Sequence, residues 1–213
     1  MVIVKQCFTY ILLLALPLVT AWAILLSRHY LAFAEKPVKA DVIVLFVGPD
    51  WGARQHEAYR LMRDGYARYV IIPAYNRLSS VAKVDEFRPI EKDLFPGNSA
   101  SLLKKLHNYP DYYEDTHFEV LEAKRIMSKL GFRSAIFVSS AYHMRRIKLI
   151  TSRVFRNEQA TVAFVPAQYE QTPAGVWSFE RYGRNWWVGN ELPKIAWFLV
   201  YESLPWGASA GRQ

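Results

Sequence analysis

The chain has 213 residues, 52% of them hydrophobic, with 27 Lys and Arg against 19 Asp and Glu for a formal net charge of +8. That apolar mass is ample for one folded domain plus an additional element, and it excludes a disordered, solvent-swollen chain. The single cysteine, Cys7, excludes a disulfide framework within the soluble part and leaves the redox compartment open.

The additional element stands at the front. Residues 7–26, CFTYILLLALPLVTAWAILL, carry no charge, and about 20 such residues at a rise of about 1.5 Å cross a hydrocarbon core, which predicts a transmembrane helix. A cleavable signal peptide is the rival reading, with AWA at 21–23 as its cleavage site, but the apolar run continues past that point and favours a retained anchor. No lipobox precedes Cys7. Arg28, Lys36 and Lys39 follow the span, so a bare count of flanking basic residues favours a cytoplasmic main domain. Residues 1–34 are accordingly assigned to an anchor and its flank, and 35–213 to the main domain.

From Ala40 the pattern alternates between strand and helix. ADVIVLFVG (40–48) has the continuous β-branched run of a strand buried on both faces. ARQHEAYRLMRDG (53–65) places Ala58, Leu61 and Met62 at helical spacing and stops at Gly65. ARYVIIPAYN (67–76) is a second strand, THFEVLEAKRIMSKLG (116–131) a second helix, and RSAIFVSS (133–140) a third strand. YHMRRIKLITSRVF (142–155) is a helix with Met144, Ile147, Ile150 and Val154 on one face, and ATVAFVPA (160–167) a fourth strand. Strands that alternate with helices predict a Rossmann-like α/β fold, with a parallel sheet covered on both faces.

Two stretches interrupt that rhythm. Residues 77–110 are polar, hold three prolines and offer a short helical candidate only around 99–107, which reads as a cap or lid. Residues 168–189 are irregular and aromatic, with Trp177, Trp186 and Trp187 beside Arg181 and Arg184. NELPKIAWFLVYESL (190–204) then closes the pattern as an apolar helix, packed on the sheet or near a membrane surface. There are no internal repeats.

Parallel α/β sheets bind ligands outside the carboxyl ends of their strands, so the loops after each strand are the ones to inspect. They read GPDWGAR, PAYN and SSAYHMRR. The last opens a helix whose first-turn N–H groups and dipole favour an anion. Between Lys124 and Arg156 there are nine Lys and Arg and no Asp or Glu, so the basicity is concentrated at that corner. One basic segment points to a phosphate-bearing or other anionic ligand, or to anionic lipid headgroups. No helix-turn-helix or RNA-binding pattern is present, which argues against nucleic acid. No cofactor or metal-binding motif is visible.

ADVIVLFVG, DTHFEVLEA and above all VSSAYHMRR resemble the YdcF-like family, the SanA/ElyC group of bacterial envelope proteins. The resemblance covers residues 40–166. It implies a Rossmann-like domain, commonly outside the cytoplasmic membrane behind an amino-terminal anchor, with a role in envelope integrity or lipid-carrier metabolism. The chain departs from the family pattern in three places. A glycine-rich turn after the first strand is reduced to Gly48, a glycine pair after the second strand is replaced by PAYN, and a helical region bearing a Glu is rebuilt as 77–110.

Position and resemblance together select the candidate site. His143, at the third position of its helix, Asp115 and Asp50 are the candidate acid and base groups. Gly48, Arg54, Asn76, Thr116, Glu119, Ser139, Ser140 and Arg146 are the candidate ligand contacts. Arg146, three residues from His143 on one helical side, is the preferred anion clamp together with Arg54, whereas Arg145 turns to solvent or an acidic neighbour. Structural roles compete. Thr116 and Glu119 form a T-x-x-E capping box, Asp115 can cap the same helix, and Ser140 can cap the next. The expected function is that of a membrane-anchored envelope protein that acts on a phosphate-bearing or other anionic small molecule or lipid-linked intermediate. The alternative is a non-catalytic module that binds such a ligand with a degenerate site.

Overall fold

The computed structural model describes residues 30–48, 50–80, 104–105, 107–168 and 190–203. The elements in chain order are β1 (Val42–Leu45), α1 (Trp51–Arg63), β2 (Tyr69–Ile72), β3 (Arg77–Ser80), α2 (Asp115–Leu130), β4 (Ser134–Ser139), α3 (Met144–Val154), β5 (Thr161–Pro166) and α4 (Glu191–Ser203). Short 3-10 turns at Pro73–Tyr75 and Ala141–His143 follow β2 and β4.

The sheet has the order β3-β2-β1-β4-β5, and all its pairings are parallel except that of β2 with β3. The expected α/β architecture is present, but β3 is an addition. Arg77–Ser80 falls in the stretch read as an irregular lid, whereas it turns back through Asn76, which adopts the left-handed conformation at φ 48°, and pairs antiparallel with β2. Four residues with two serines at a sheet edge carry too little apolar alternation to announce a strand, and pairing with β2 overrides propensity. Lys104 and Lys105 are helical, within the short helix expected at 99–107. Residues 81–103 of the supposed lid, the aromatic stretch from 169 to 189 and the apolar run 7–26 lie outside the described residues. Among the described residues no helix is long and apolar enough to cross a membrane.

Every residue of β1 is buried, because its side chains alternate between two cores. Val42, Val44 and Phe46 join Val120, Ala123, Ile126 and Met127 of α2 and Ile147 and Ile150 of α3. Ile43 and Leu45 face the other way, toward Ala58, Leu61 and Met62 of α1. The sheet is therefore sandwiched between α1 on one face and α2 with α3 on the other. Gly131, at φ 72°, ends α2 as its sequence predicts, since a left-handed C-terminal residue is strained for any side chain with a Cβ.

Helix α4 completes the first core through Phe198 and Tyr201. Its first residue, Glu191, bonds Arg146 in the first turn of α3, and the Tyr201 hydroxyl lies 3.0 Å from His117 Nδ1 in the first turn of α2. It thus lies across the amino ends of α2 and α3, at the carboxyl edge of the sheet. The lead-in segment is also packed: Leu31 is buried, Glu35 exchanges hydrogen bonds with the Phe164 backbone, and Phe33 meets the Phe164 ring edge-on.

Candidate functional site

In the order β3-β2-β1-β4-β5 the connections diverge between β1 and β4, which is where a doubly wound sheet opens a crevice at its carboxyl edge. The loop after β1 is braced from within. Arg54, almost fully buried in the first turn of α1, donates from Nη1 to the carbonyls of Phe46 (3.1 Å) and Val47 (2.7 Å). A guanidinium can come this close only because Gly48 lacks a side chain: a Cβ there would stand 2.5 Å from Arg54 Nη1. The Val47 N–H donates to Glu119 Oε1 at 3.2 Å, so α2 also grips the loop.

The loop after β4 answers it. Ser140 occupies the N-cap position of the turn that follows, but its hydroxyl caps nothing. Ser140 Oγ instead donates to Asp50 Oδ2 (2.8 Å) and accepts from Arg54 Nε (2.9 Å), while the Tyr142 hydroxyl donates to the same Asp50 oxygen at 2.9 Å. Asp50, Arg54, Ser140 and Tyr142 therefore form one network that ties the β1 exit to the β4 exit. Ser140 is fully buried, so its hydroxyl is a brace and not an accessible nucleophile.

A second network is centred on Glu191. Its Oε1 lies 2.9 Å from His143 Nδ1, and its two oxygens accept from Arg146 Nε (2.8 Å) and Nη2 (3.1 Å). Arg146 Nη1 donates to Glu114 Oε2 at 2.7 Å. A carboxylate can only accept, so His143 carries its proton on Nδ1 and keeps Nε2 as the basic nitrogen. The 3.3 Å approach of Arg146 Nη2 to His143 Nδ1 is then a contact between two donors that share Glu191.

Burial sets the protonation states. It is the largest influence on His143 and pushes its pKa down to about 4 despite the favourable Glu191 charge, so the ring is neutral at pH 7. For Glu191 burial acts upward, but hydrogen bonding and charge from His143 and Arg146 outweigh it and hold the carboxyl at about 2. Glu119 moves the other way: burial raises it to about 8, only partly opposed by the Val47 N–H and the Arg54 charge, so it is a neutral acid at pH 7. A neutral imidazole with a fixed tautomer, a neutral carboxylic acid and an ionised carboxylate thus stand on loops and helix starts at one sheet edge. That set can accept and deliver protons.

Several sequence expectations change here. The T-x-x-E box is not a cap: α2 starts at Asp115 behind Glu114, no side chain caps it, and Glu119 turns inward to Val47. Asp115 is 83% exposed and pairs with Lys104 at 2.7 Å, outside both networks. Asn76 is exposed and accepts from Arg125 Nη2 at 3.2 Å, which makes it a turn residue of the β2–β3 hairpin. Thr116 is half-buried in the first turn of α2, and Ser139 is buried as the last residue of β4 beside Pro166. Arg146, expected to clamp an anion, has its Nε and both terminal nitrogens engaged by Glu191 and Glu114. Arg145 lies at the half-buried surface, where it donates to the Tyr30 carbonyl and lies over the rings of Tyr30 and Phe33.

The basic run itself is dispersed by the fold. Lys124 pairs with Glu158, Arg125 with Glu122, Arg146 with Glu114 and Glu191, and Lys148 with Glu35. Of these carboxylates, Glu122 and Glu158 lie just outside the run at either end, and Glu35 and Glu191 come from the two far ends of the described chain. Sequence reading missed Glu191, Glu114 and Tyr142 as site residues. Tyr142 stood inside the quoted motif, but Glu191 and Glu114 carry no local signal, since only the tertiary fold brings them to Arg146. Among the described residues, no group of three or more His, Cys, Asp or Glu side chains is arranged to hold a metal ion. No protein-family model, curated protein or solved structure matches the chain.

Proposed function

We propose that this chain is a membrane-anchored envelope protein of the YdcF-like kind. In this reading the 7–26 segment holds it in the cytoplasmic membrane, and the α/β domain lies outside. The carboxyl edge of the sheet holds a phosphate-bearing or other anionic small molecule or a lipid-linked intermediate of envelope biogenesis, and His143 carries out proton transfer on it. The observation that carries this proposal is the Glu191–His143 contact of 2.9 Å. It supplies a base and its orienting carboxylate at the place where such sheets bind ligands.

The roles then divide. His143 Nε2 accepts a proton from the attacking group, Glu191 fixes the ring, and Glu119, from α2, offers a proton to the leaving group. Asp50, Arg54, Ser140 and Tyr142 keep the two loops in register. The anionic part of the ligand rests on the first-turn backbone amides after β4, because the arginines there are already engaged.

A second reading, binding without turnover, draws support from the same engaged arginines. Among the described residues, Arg146 is matched by Glu114 and Glu191 and Arg54 is tied through the Ser140 hydroxyl to Asp50, so the positive charge of both is already engaged before any charge develops in a transition state. One experiment separates the two. The full chain in nanodiscs is screened against phosphorylated lipids, sugar nucleotides and phosphoesters, and turnover and affinity are compared for the native chain and His143→Gln. Catalysis predicts a loss of turnover of about 10²–10⁴-fold with affinity largely kept. Parallel losses of both, or turnover unchanged, refute it. An active periplasmic reporter fused after Gln213 checks the orientation, and activity only of a cytoplasmic reporter reverses it.

A further inference from the structure

The outward face of α4 is uncharged. Leu192, Ala196 and Leu199 recur at helical spacing, with Pro193, Trp197 and Val200 beside them, and all six are exposed. Leu192, Trp197, Leu199 and Val200 keep 42–49% of their surface, an unusual concentration on one short helix. The opposite face of α4 holds Ile195, Phe198 and Tyr201 in the core, so the helix is apolar on both sides for different reasons.

The chain itself indicates what lies against that face. Tyr30, the first described residue, offers its carbonyl to Arg145 Nε at 2.8 Å, and the next residue, Arg146, holds Glu191, the first residue of α4. The polypeptide that arrives from the 7–26 segment therefore enters at the same turn of α3 that secures α4. Tyr30 is four chain steps beyond Leu26, a reach of at most about 14 Å. A bilayer that held residues 7–26 would lie within that distance of Tyr30, which is held at the turn of α3 that also secures the α4 amino end. Arg145 and Lys148, stacked on Tyr30 and Phe33, would stand among its headgroups.

We infer that the Leu192–Val200 face of α4 rests on the bilayer surface, so that the His143–Glu191 site opens against the headgroup layer and takes a substrate whose acyl part stays in the membrane. This rests on the reading of residues 7–26 as an anchor. Glu191 belongs to the site and Leu192 to the outer face, so one helix connects the two.

The test uses the full chain with Cys7→Ser and a single fluorophore on Ala196→Cys, or in a second variant on Leu192→Cys, reconstituted in phosphatidylethanolamine–phosphatidylglycerol vesicles with plain or brominated acyl chains. An apolar helix face sinks about 5–10 Å into the interface, and quenching of about twofold or more by the brominated lipid is expected at both positions. A label on Lys129→Cys, at the far end of α2, should be unaffected. No quenching at 196 and 192, in a chain that stays with the vesicles through an alkaline carbonate wash, overturns the inference and leaves the anchor reading intact. Release of the chain by that wash overturns both. Labels shielded from aqueous iodide yet unquenched by bromine overturn it in favour of a protein occupant, either a second copy or another segment of this chain.

Discussion

Glu191 and His143 meet through Oε1 and Nδ1 at 2.9 Å although one opens the last described helix and the other ends the turn after β4. The same carboxylate holds Arg146, so its removal has two consequences. Glu191→Ala leaves a buried guanidinium with Glu114 as its remaining carboxylate, and a loss of about 3–5 kcal/mol in urea unfolding is expected. Glu191→Gln keeps the shape but frees the ring tautomer. If His143 is the base, turnover by this variant falls while ligand affinity is kept.

Stability should decline in mild acid. Burial depresses His143 and His117 to about 4 from 6.5, so between those values the unfolded chain binds protons that the native chain refuses. Their contribution is complete above about pH 6.5 and is lost as pH falls toward 4, by about 1.4 kcal/mol per pH unit for each group. Urea midpoints at successive pH values should show this limb, and His117→Gln should reduce its slope.

Glu119 acts with the opposite sign. Its pKa rises to about 8 from 4.5, so over that window the native state keeps a proton that the unfolded chain has released. Its contribution is complete below about pH 4.5 and declines as pH rises to 8. With the two histidines acting the other way below 6.5, the maximum should lie near pH 6.5. Glu119→Gln should abolish the fall on the alkaline side while keeping an acceptor for the Val47 N–H.

Gly48→Ala tests the brace. The new methyl would overlap the Arg54 guanidinium, whose Nη1 and Nε are bonded to two carbonyls and to Ser140, so the side chain cannot swing away without breaking them. A destabilisation of about 1–3 kcal/mol is expected, typical of overpacking. A much smaller loss in the Arg54→Ala background would attribute it to this contact, as read by a double-mutant cycle.

The architecture was legible because its signals are local. Val42–Leu45 is a continuous apolar run, Gly131 stops α2, and Met144, Ile147 and Ile150 mark the buried side of α3, all within windows of a few residues. The candidate site was legible only where its loops adjoin strands: Gly48, Asp50, Arg54 and Ser140 meet and His143 follows on the same loop against Glu191, while Asp115 and Asn76 turn elsewhere. Charge was the least legible property. The run from Lys124 to Arg156 looks like a basic corner in one dimension, but its partners Glu35, Glu114 and Glu191 are remote in sequence and become visible only once the helices pack.

The neighbours of β1 differ in how far they lie along the chain: β2 follows after one helix, whereas Val42 pairs with Ala135 on its other side. Asp41 anchors that distant seam, since its carboxylate accepts from the backbone N–H groups of Arg133 and Ser134 and from the Ser134 hydroxyl. The β1–α1–β2–β3 half can assemble from near neighbours, but β4 must close a long chain loop before its contacts contribute, which delays folding more than it weakens the fold. Each doubling of such a loop costs only about 0.6 kcal/mol. The long separation of β1 from β4 should therefore be felt in the refolding rate more than in equilibrium stability.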